Sequence, residues 1–404
     1  MILQLREYGP PATAELTTSQ AQALQRSRAV TVTPSVEQPG AWSVRAAQHV
    51  WVIIVDEELE VRIRPKVPID RLLFLVAFAR DERIWRTDIV DLIVKDDLVA
   101  SMGWAFAQHA EAALARGVLQ SYVRFEEALQ GVRGRLREGD QLRRHFGLLL
   151  PVEVAYDDYT VDIIENRLLM AACRRLLMLP GLPSIVRARL RHLTGRLDGV
   201  GEVERHQILQ GGVQFTRLNE RYRPAVRLAQ AILMGTSLEQ DLGAHQGVAF
   251  LFDMNRVFED FVTETLGRTL ERIGGRTDAQ YPGFLDEREA IEIKPDLVWW
   301  QGGKCRAVID AKYKATRVDE VPNADVYQAM AYSLALDVRP AFLIYAASNE
   351  SPGEHVVVHS DLRVVVAALD ISGAPAKILA SVDAVASEIA GRTRAGPRVG
   401  VASH

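Results

Sequence analysis

The chain has 404 residues and an apolar fraction of 48%, enough for two or three domains with substantial cores. Its formal net charge of −4 excludes a generally basic nucleic-acid binder, so any DNA contact must come from a local patch or from a partner. The two cysteines, Cys173 and Cys305, lack metal-ligand spacing and indicate no disulfide framework. The sequence begins without a basic-then-apolar pattern and contains no apolar run of about 18 residues, so we expect a cytoplasmic protein that does not span a membrane.

The first 100 residues predict a small, mainly β domain. The apolar patterns predict strands at Ile2–Leu5, Val50–Val55 and Leu59–Ile63, and helices at Thr18–Ser27 and Ile69–Ala79. Thr17 or Thr18 suits the N-cap of the first helix. The pattern contains no catalytic signature, so we interpret residues 1–100 as a partner-binding domain.

Residues 101–244 predict a mainly helical middle region. Helical spacing of apolar residues covers Trp104–Leu129, Val161–Leu179 and Arg217–Leu233. Two basic clusters lie within this region, namely the Arg- and Gly-rich segment 131–147 and the group Arg187, Arg189 and Arg191. Such arginines can bind phosphates, or they can lie on solvated helix faces beside glutamates, and the sequence leaves both interpretations open.

Residues 245–392 predict an α/β domain, and residues 393–404 predict a flexible tail rich in Gly, Ala, Arg and Ser. The patterns predict helices at Val248–Leu270, Tyr327–Leu336 and Pro375–Arg392, and strands at Ile291–Val298, Cys305–Tyr313, Ala341–Ala346, His355–His359 and Leu362–Ala368. The fold class expected for the chain is therefore α/β, or α+β when the whole length is considered.

The most informative segment is a pair of predicted strands with Gly302 and Gly303 between them. The two-residue period of a strand places Asp296 on one face of the first strand, and Asp310 and Lys312 together on one face of the second. Facing carboxylates repel each other unless a cation lies between them, and oxygen ligands suit Mg²⁺. The lysine can orient an attacking water or neutralise charge on a phosphate. The segment therefore predicts a magnesium site for phosphodiester hydrolysis.

The position of Asp296 depends on the length of the connecting loop. Asp296 lies opposite Asp310 only if that loop has an odd number of residues or if a β-bulge absorbs the mismatch. A three-residue loop of Gly302, Gly303 and Lys304 meets the condition. The alternative is a solvent-exposed hairpin with scattered charges, but the proline before Asp296, the glycine turn and the apolar flanks favour a site.

Two helices contribute further candidates. Gln328 and Tyr332 lie four residues apart on one helix face and can reach a metal-bound water or a phosphate. Taken alone, they are better explained by an amphipathic helix whose tyrosine completes the core. Glu259, on the preceding long helix, can point at the site or lie on a solvated surface, and both interpretations stay open.

Together, Asp296, the Asp310-Ala-Lys312 motif and the Gln328-x3-Tyr332 motif resemble the PD-(D/E)xK nuclease superfamily, and the last motif resembles its RecB-like branch. The wider text resembles the McrC family, the nuclease subunits of McrBC modification-dependent restriction systems. The matching text is MNRVFEDFV at 254–262, PDLV at 295–298, VIDAKYK at 308–314 and DVYQAMAYS at 325–333, with weaker matches GVRGR at 131–135 and ENRLL at 165–169. The resemblance covers about residues 130–350.

The resemblance implies a nuclease core with a mixed sheet flanked by helices. It implies that Asp296 and Asp310 bind Mg²⁺, that Lys312 positions water or stabilises the phosphorane, that Gln328 and Tyr332 support the site and contact the DNA backbone, and that Glu259 is an accessory acid. It also implies a partner, a hexameric AAA+ GTPase that recognises methylated double-stranded DNA and is stimulated by this subunit. The chain lacks the G-x-x-x-x-G-K-[ST] motif, so GTP is expected to bind the partner.

Two other functions stay open from the sequence. One is a stand-alone RecB-like exonuclease that acts without a GTPase. The other is a non-catalytic assembly or activator subunit of the NTPase, although the intact set of two aspartates and one lysine weighs against it.

Overall fold

The structure is a computed structural model that describes the chain except for residues 28, 37, 47–48, 57, 79–97, 147, 180, 205–206, 208–212, 235–248, 314–320, 347–352 and 395–404. The described residues up to 78 and from 249 onward belong to one compact unit. Those from 99 to 234 belong to a second compact unit. The sequence had suggested three successive domains, whereas this division groups the two ends of the chain together.

The described residues form strands and helices throughout. The strands are β1 (Ile2–Arg6), β2 (Ala12–Ala14), β3 (Val30–Pro34), β4 (Trp42–Ala46), β5 (His49–Ile54), β6 (Glu60–Arg64), β7 (Ser121–Leu129), β8 (Arg135–Leu136), β9 (Val152–Thr160), β10 (Ala249–Asp253), β11 (Arg276–Ala279), β12 (Gly283–Phe284), β13 (Glu292–Ile293), β14 (Leu297–Gln301), β15 (Lys304–Lys312), β16 (Ala341–Tyr345), β17 (Gly353–Val356) and β18 (Arg363–Ala368). The helices are α1 (Thr18–Arg26), α2 (Ile69–Phe78), α3 (Leu98–Leu114), α4 (Glu138–His145), α5 (Ile164–Met178), α6 (Ser184–Arg196), α7 (Arg223–Met234), α8 (Met254–Ile273), α9 (Asn323–Ala335) and α10 (Pro375–Arg394). The α/β fold class is thereby confirmed.

The N-terminal part is mainly β in its described residues, as expected. It contains a sheet of order β1-β6-β5-β10 and a smaller sheet of order β2-β4-β3. Thr17 caps α1, because its hydroxyl accepts from the Gln20 backbone N–H while the Gln20 side chain accepts from the Thr17 N–H. The alternating apolar residues of both sheets and of α1 build one core, which includes Leu24, Val44 and Val61.

The predicted helix Val248–Leu270 is wrong at its start. Residues Ala249–Asp253 form β10, which pairs antiparallel with β5 in the N-terminal sheet, and the helix begins only at Met254. A short apolar run fits a buried strand as well as a helix. Here the run forms a strand because it can pair with β5 at the edge of the N-terminal sheet. The side chain of Asp253 then caps α8 by accepting from the Asn255 backbone N–H at 3.0 Å.

The C-terminal part contains the expected mixed sheet, of order β11-β14-β15-β16-β18-β17. Strands β15, β16 and β18 run parallel to one another, whereas β11, β14 and β17 pair antiparallel with their neighbours. Helix α9 packs against β15 and β16, and its Ala329 and Tyr332 share a core with Val308 and Leu343. Helices α8 and α10 pack against each other and against β15, so helices flank the sheet.

Two predicted strands of this part differ from the structure. The sequence predicted one strand over Ile291–Val298, but β13 and β14 are separate strands, and Pro295 between them has no N–H to donate to a ladder. The predicted strand His355–His359 ends at Val356, because His359 has a positive φ of 57° that breaks the extended conformation. The predicted tail lies almost wholly outside the described residues, since α10 continues to Arg394.

The second unit is less helical than the sequence predicted. The expected helix Trp104–Leu129 stops at Leu114, and Ser121–Leu129 is β7. Strand β7 pairs antiparallel with β9 along all nine residues, and β8 pairs with the other edge of β9. Gly117, with φ of 94°, ends the helical stretch, and aromatic cross-strand pairs such as Tyr122–Tyr159 stabilise the pairing of β7 with β9. Helix α5 packs against both α6 and α7. Helices α5 and α7 overlap the predicted helices Val161–Leu179 and Arg217–Leu233, although α7 begins only at Arg223, and α6 was not predicted.

Most arginines of the two basic clusters have acidic or carbonyl partners in the described residues. Within 131–147, Arg137 and Arg143 pair with Asp140, Arg133 pairs with Asp158, and Arg144 pairs with Glu153. Arg189 makes a two-point contact with Glu111, and Arg187 donates to the carbonyls of Leu177 and Leu179. These partners favour the structural interpretation of both clusters over phosphate binding.

Candidate active site

A β-bulge brings the two predicted aspartates opposite each other. The turn between β14 and β15 contains only Gly302 and Gly303, both with positive φ, so the expected three-residue loop is wrong. Strand β15 carries one extra residue, Arg306, where the register shifts between Trp299 and Trp300. A β-bulge was the second of the two ways in which the sequence allowed Asp296 to lie opposite Asp310. Asp296 therefore lies one step beyond the Leu297–Ile309 pair, opposite Asp310.

Asp296 is held in place by hydrogen bonds from two elements. The Gln280 side-chain amide donates to its Oδ1 at 2.8 Å, and the Ala311 backbone N–H donates to its Oδ2 at 2.9 Å. The aspartate is buried, with 7% of its surface exposed. Because Ala311 lies between Asp310 and Lys312, this contact fixes the distance between the two strands at the site.

Asp310 and Lys312 form a buried ion pair. The Lys312 Nζ lies 2.5 Å from the Asp310 Oδ2, and Asp310 is only 3% exposed. Burial and the charge of Asp296 raise the pKa of Asp310 to about 7, although Lys312 opposes this shift. Burial by itself lowers the pKa of Lys312, but the carboxylates of Asp310, Asp296 and Asp325 together outweigh burial and raise this pKa above its ordinary value.

Glu259 is electrostatically part of the same cluster. It lies in the second turn of α8 and is half-buried. Burial raises its pKa to about 7, and the next largest cause is the negative charge of Asp296. Because Lys312 and Asp310 also act on this pKa, the site interpretation of Glu259 gains support over the solvated-surface interpretation.

The donor set fits a hard divalent cation. Asp296 and Asp310 offer carboxylate oxygens, and the repulsion that raises the pKa of Asp310 is the kind that a cation removes. Among the described residues, no three His, Cys, Asp or Glu side chains are arranged closely enough to hold a metal by themselves. A cation at this site would therefore keep water or substrate oxygens among its ligands, which is usual for Mg²⁺.

Gln328 and Tyr332 lie beside the site on α9 and contact each other. The Gln328 side-chain amide donates to the Tyr332 hydroxyl at 2.8 Å, and that hydroxyl donates to the Lys294 carbonyl at 3.3 Å. Tyr332 is 6% exposed, so it belongs to the core, as the amphipathic-helix interpretation predicted, and it also lies near the site. Burial and the charge of Asp310 raise the pKa of Tyr332. The pair supports the backbone two residues before Asp296.

Sequence reasoning missed two side chains next to the lysine. The Tyr345 hydroxyl donates to the Asp325 Oδ2 at 2.6 Å, and both residues are buried. Tyr345 is the register partner of Lys312 on β16, and the charge of Asp325 is among the causes that raise the pKa of Lys312. The sequence could have indicated Asp325, because it precedes Gln328 by one helical turn and so lies on the same helix face.

The fold and the site together define a mixed α/β protein with two buried, opposed aspartates and a neighbouring lysine. The chain belongs to the family of McrBC 5-methylcytosine restriction system components, whose model matches residues 44–346. This match includes all six residues predicted for the site and confirms the resemblance expected from the sequence. No curated protein matches the chain.

Two solved structures are similar to this one. A chain of the refined half-complex from the tetradecameric assembly of Thermococcus gammatolerans McrB AAA+ hexamers with bound McrC has a TM-score of 0.56 and 19% identity, with 96% of this chain and 100% of that chain covered. A chain of the cryo-EM structure of the Thermococcus gammatolerans McrBC complex has a TM-score of 0.40 and 19% identity, with 67% and 88% covered. The first likeness establishes a shared fold. No helix in the described part of the chain is long and apolar enough to cross a membrane.

Proposed function

We propose that this chain is the Mg²⁺-dependent DNA endonuclease subunit of a modification-dependent, methylcytosine-directed restriction system. The observation that carries the proposal is the buried arrangement of Asp296, Asp310 and Lys312 at the end of the β14–β15 pair remote from the Gly302-Gly303 turn. Membership of the McrBC family supports the restriction context. Opposed carboxylates beside a lysine suit metal-assisted hydrolysis of a phosphodiester.

Each site residue has a role that its contacts support. Asp296 and Asp310 would hold Mg²⁺, which when bound supplies Lewis-acid activation of the phosphate and of an attacking water. Lys312 brings a positive charge to the reacting phosphate and is itself held by Asp310. Glu259 is the accessory acid.

On α9, Gln328 and Tyr332 support the segment that leads into Asp296. In the proposal they also approach the DNA backbone, since both can donate hydrogen bonds to phosphate oxygens.

The proposal includes a partner. The similar Thermococcus gammatolerans assembly contains McrB AAA+ hexamers with bound McrC. We infer that this chain likewise docks on an AAA+ GTPase hexamer, stimulates it and cuts the methylated double-stranded DNA that the partner delivers. GTP then binds the partner, and the net charge of −4 fits a subunit that relies on the partner for much of its grip on DNA. The complex is expected in the cytoplasm.

Substitution of the aspartates and the lysine tests the assignment. Asp296→Ala, Asp310→Ala and Lys312→Ala proteins, mixed with the AAA+ partner, GTP, Mg²⁺ and DNA containing 5-methylcytosine, should leave the DNA uncut. Stimulation of the partner's GTPase is the matched control and should persist, because it reports a folded, docked subunit. Cleavage by the Asp310→Ala protein at the wild-type rate would contradict the assignment of Asp310 to the cleavage site. Digestion of DNA ends by the wild-type chain without the partner would favour an exonuclease instead.

A further inference from the structure

Glu7 is a buried carboxyl group that the proposed cleavage chemistry does not use. It follows β1 and has 1% of its surface exposed. Its Oε2 accepts from the Tyr313 hydroxyl at 3.2 Å and from the Lys66 backbone N–H at 3.0 Å. Its Oε1 is buried and has no hydrogen-bond partner among the described residues. Burying a carboxyl group with one unsatisfied oxygen costs stability, so this arrangement is not explained by stability alone.

The partner of Glu7 stands at the edge of the candidate active site. Tyr313 directly follows Lys312, which is the last residue of β15. Its side chain is buried, and its ring lies 6.0 Å from that of Phe258 on α8. Phe258 in turn precedes Glu259. One tyrosine therefore contacts Glu7 at the end of β1, follows the lysine in the chain, and packs near the residue of α8 that precedes the accessory acid.

A second connection reaches the same site through the backbone. Strand β10 pairs with β5 in the N-terminal sheet and leads straight into α8 through the cap residue Asp253. The start of α8, and with it Glu259 in the second turn, is thereby fixed to that sheet. The charge of Asp253 is also among the causes that raise the pKa of Glu7, after burial, which is the largest.

We propose that Glu7 is a positioning residue for the cleavage site, acting through Tyr313 on the end of β15. The inference rests on the proposed function and deepens it. The last residues of a strand are the first to open locally. At this end of β15, Lys312 is in register with Tyr345 on β16, and its carbonyl accepts from the Ala346 N–H at 3.2 Å. The Glu7–Tyr313 hydrogen bond adds a further restraint one residue on. Lys312 thus keeps its place only while the N-terminal sheet is intact.

Cleavage kinetics of the full-length chain in complex with its AAA+ partner test the proposal. Tyr313→Phe removes only the hydroxyl, and Glu7→Leu removes the acceptor. Both should lower kcat on 5-methylcytosine DNA by about tenfold and change the KM for DNA by less than about twofold, because the reacting groups shift while DNA binding is kept. Glu7→Gln keeps an acceptor oxygen and should restore kcat to near the wild-type value.

Ser27→Ala is the matched control, since it also removes a buried hydrogen bond of the N-terminal part, to the Leu24 carbonyl, but lies away from Tyr313. It should keep the wild-type kcat. Equal loss in Ser27→Ala, or wild-type kcat in Tyr313→Phe and Glu7→Leu, overturns the proposal, because either result leaves Glu7 a purely structural role.

Hydrogen exchange separates this proposal from the proposed function. Backbone amides of a peptide spanning residues 305–313 should exchange faster in Tyr313→Phe and Glu7→Leu than in the wild type or in Ser27→Ala, whether or not the DNA is cut. Unchanged exchange rates would overturn the positioning role even if the wild-type chain is an active nuclease. If both variants exchange faster but the wild-type chain does not cut DNA, the nuclease assignment is wrong, whereas the restraint of β15 by Glu7 and Tyr313 still holds.

Discussion

Acidic side chains are crowded into a site with little access to water. Burial raises the pKa values of both Asp310 and Glu259 to about 7, and in each case the charge of Asp296 adds to the effect. Lys312 opposes both shifts. A divalent cation favours the ionised form of nearby carboxyl groups, so we expect its binding to release protons near neutral pH.

Glu7 gives a pH dependence of stability that can be measured apart from activity. Burial raises its pKa from 4.5 to about 7, so the folded protein binds this proton more tightly than the unfolded chain does. The free energy of unfolding should therefore fall as the pH rises from about 4.5 to about 7, by at most ~3 kcal/mol from this group. Urea unfolding of Glu7→Gln should show a smaller difference between pH 5 and pH 8 than the wild type.

The exposed Glu15 of the same part of the chain supplies the control for this comparison. Glu15→Gln removes one exposed carboxyl group and should leave the pH dependence at its wild-type size. An identical pH dependence in wild type and Glu7→Gln would show that the buried carboxyl group is not the source.

At the scale of elements, one extra residue sets the geometry of the site. The Gly302-Gly303 turn alone would place Asp296 out of step with Asp310, and the bulge at Arg306 restores the match. A shift of one residue moves every side chain of a strand to its other face, so the bulge decides whether the two carboxylates meet. Both glycines have positive φ, and a Cβ added at either would meet no atom within 4 Å.

Deletion of Arg306 should therefore abolish cleavage. Without the extra residue, Asp296 no longer lies opposite Asp310. The pair could meet only if β14 shifted by one residue, which would move its apolar side chains to the wrong face of the sheet. Gly302→Asn is the matched control, because it keeps the loop length, asparagine tolerates positive φ, and no atom lies within 4 Å of the added Cβ. Cleavage assays with the AAA+ partner and methylated DNA compare the two, and cutting by the deletion variant would refute the role of the bulge.

Sequence patterns predicted long elements better than short ones. Helices α5 and α10 were predicted to within a few residues because many apolar positions define their buried faces. Two strands, β7 and β10, were assigned to helices, because their apolar runs fit either period. In both cases pairing with a strand elsewhere in the chain outweighed local helical spacing. The residues of the segment alone do not predict that pairing.

At the scale of the molecule, the two ends of the chain share one compact unit, and residues from 99 to 234 form another. The sheet that begins with β1 includes β10, and Glu7 binds Tyr313 across a separation of 306 residues. The first residues of the chain thus contribute to the part that carries the site. A boundary near residue 244 does not separate these structures.

Fragments of the chain should reflect this division. A fragment of residues 245–394 is expected to unfold or aggregate, because β10 loses its partner β5 and Tyr313 loses Glu7. A fragment of residues 99–234 has its own core and should fold alone. Circular dichroism and limited proteolysis of both fragments provide the measurement, and a cooperatively folded 245–394 fragment would contradict the expectation.

The sequence by itself determined the fold class, the candidate residues and the family resemblance, because these depend on residue types and local spacing. It also determined that Asp296 could meet Asp310 only through an odd loop or a bulge. Only the tertiary structure decided for the bulge, assigned β10 to the N-terminal sheet, and brought Glu7, Asp325 and Tyr345 to the neighbourhood of Lys312. The physical reason is that these contacts join segments far apart in the chain, whose pairing depends on the energy of the whole fold.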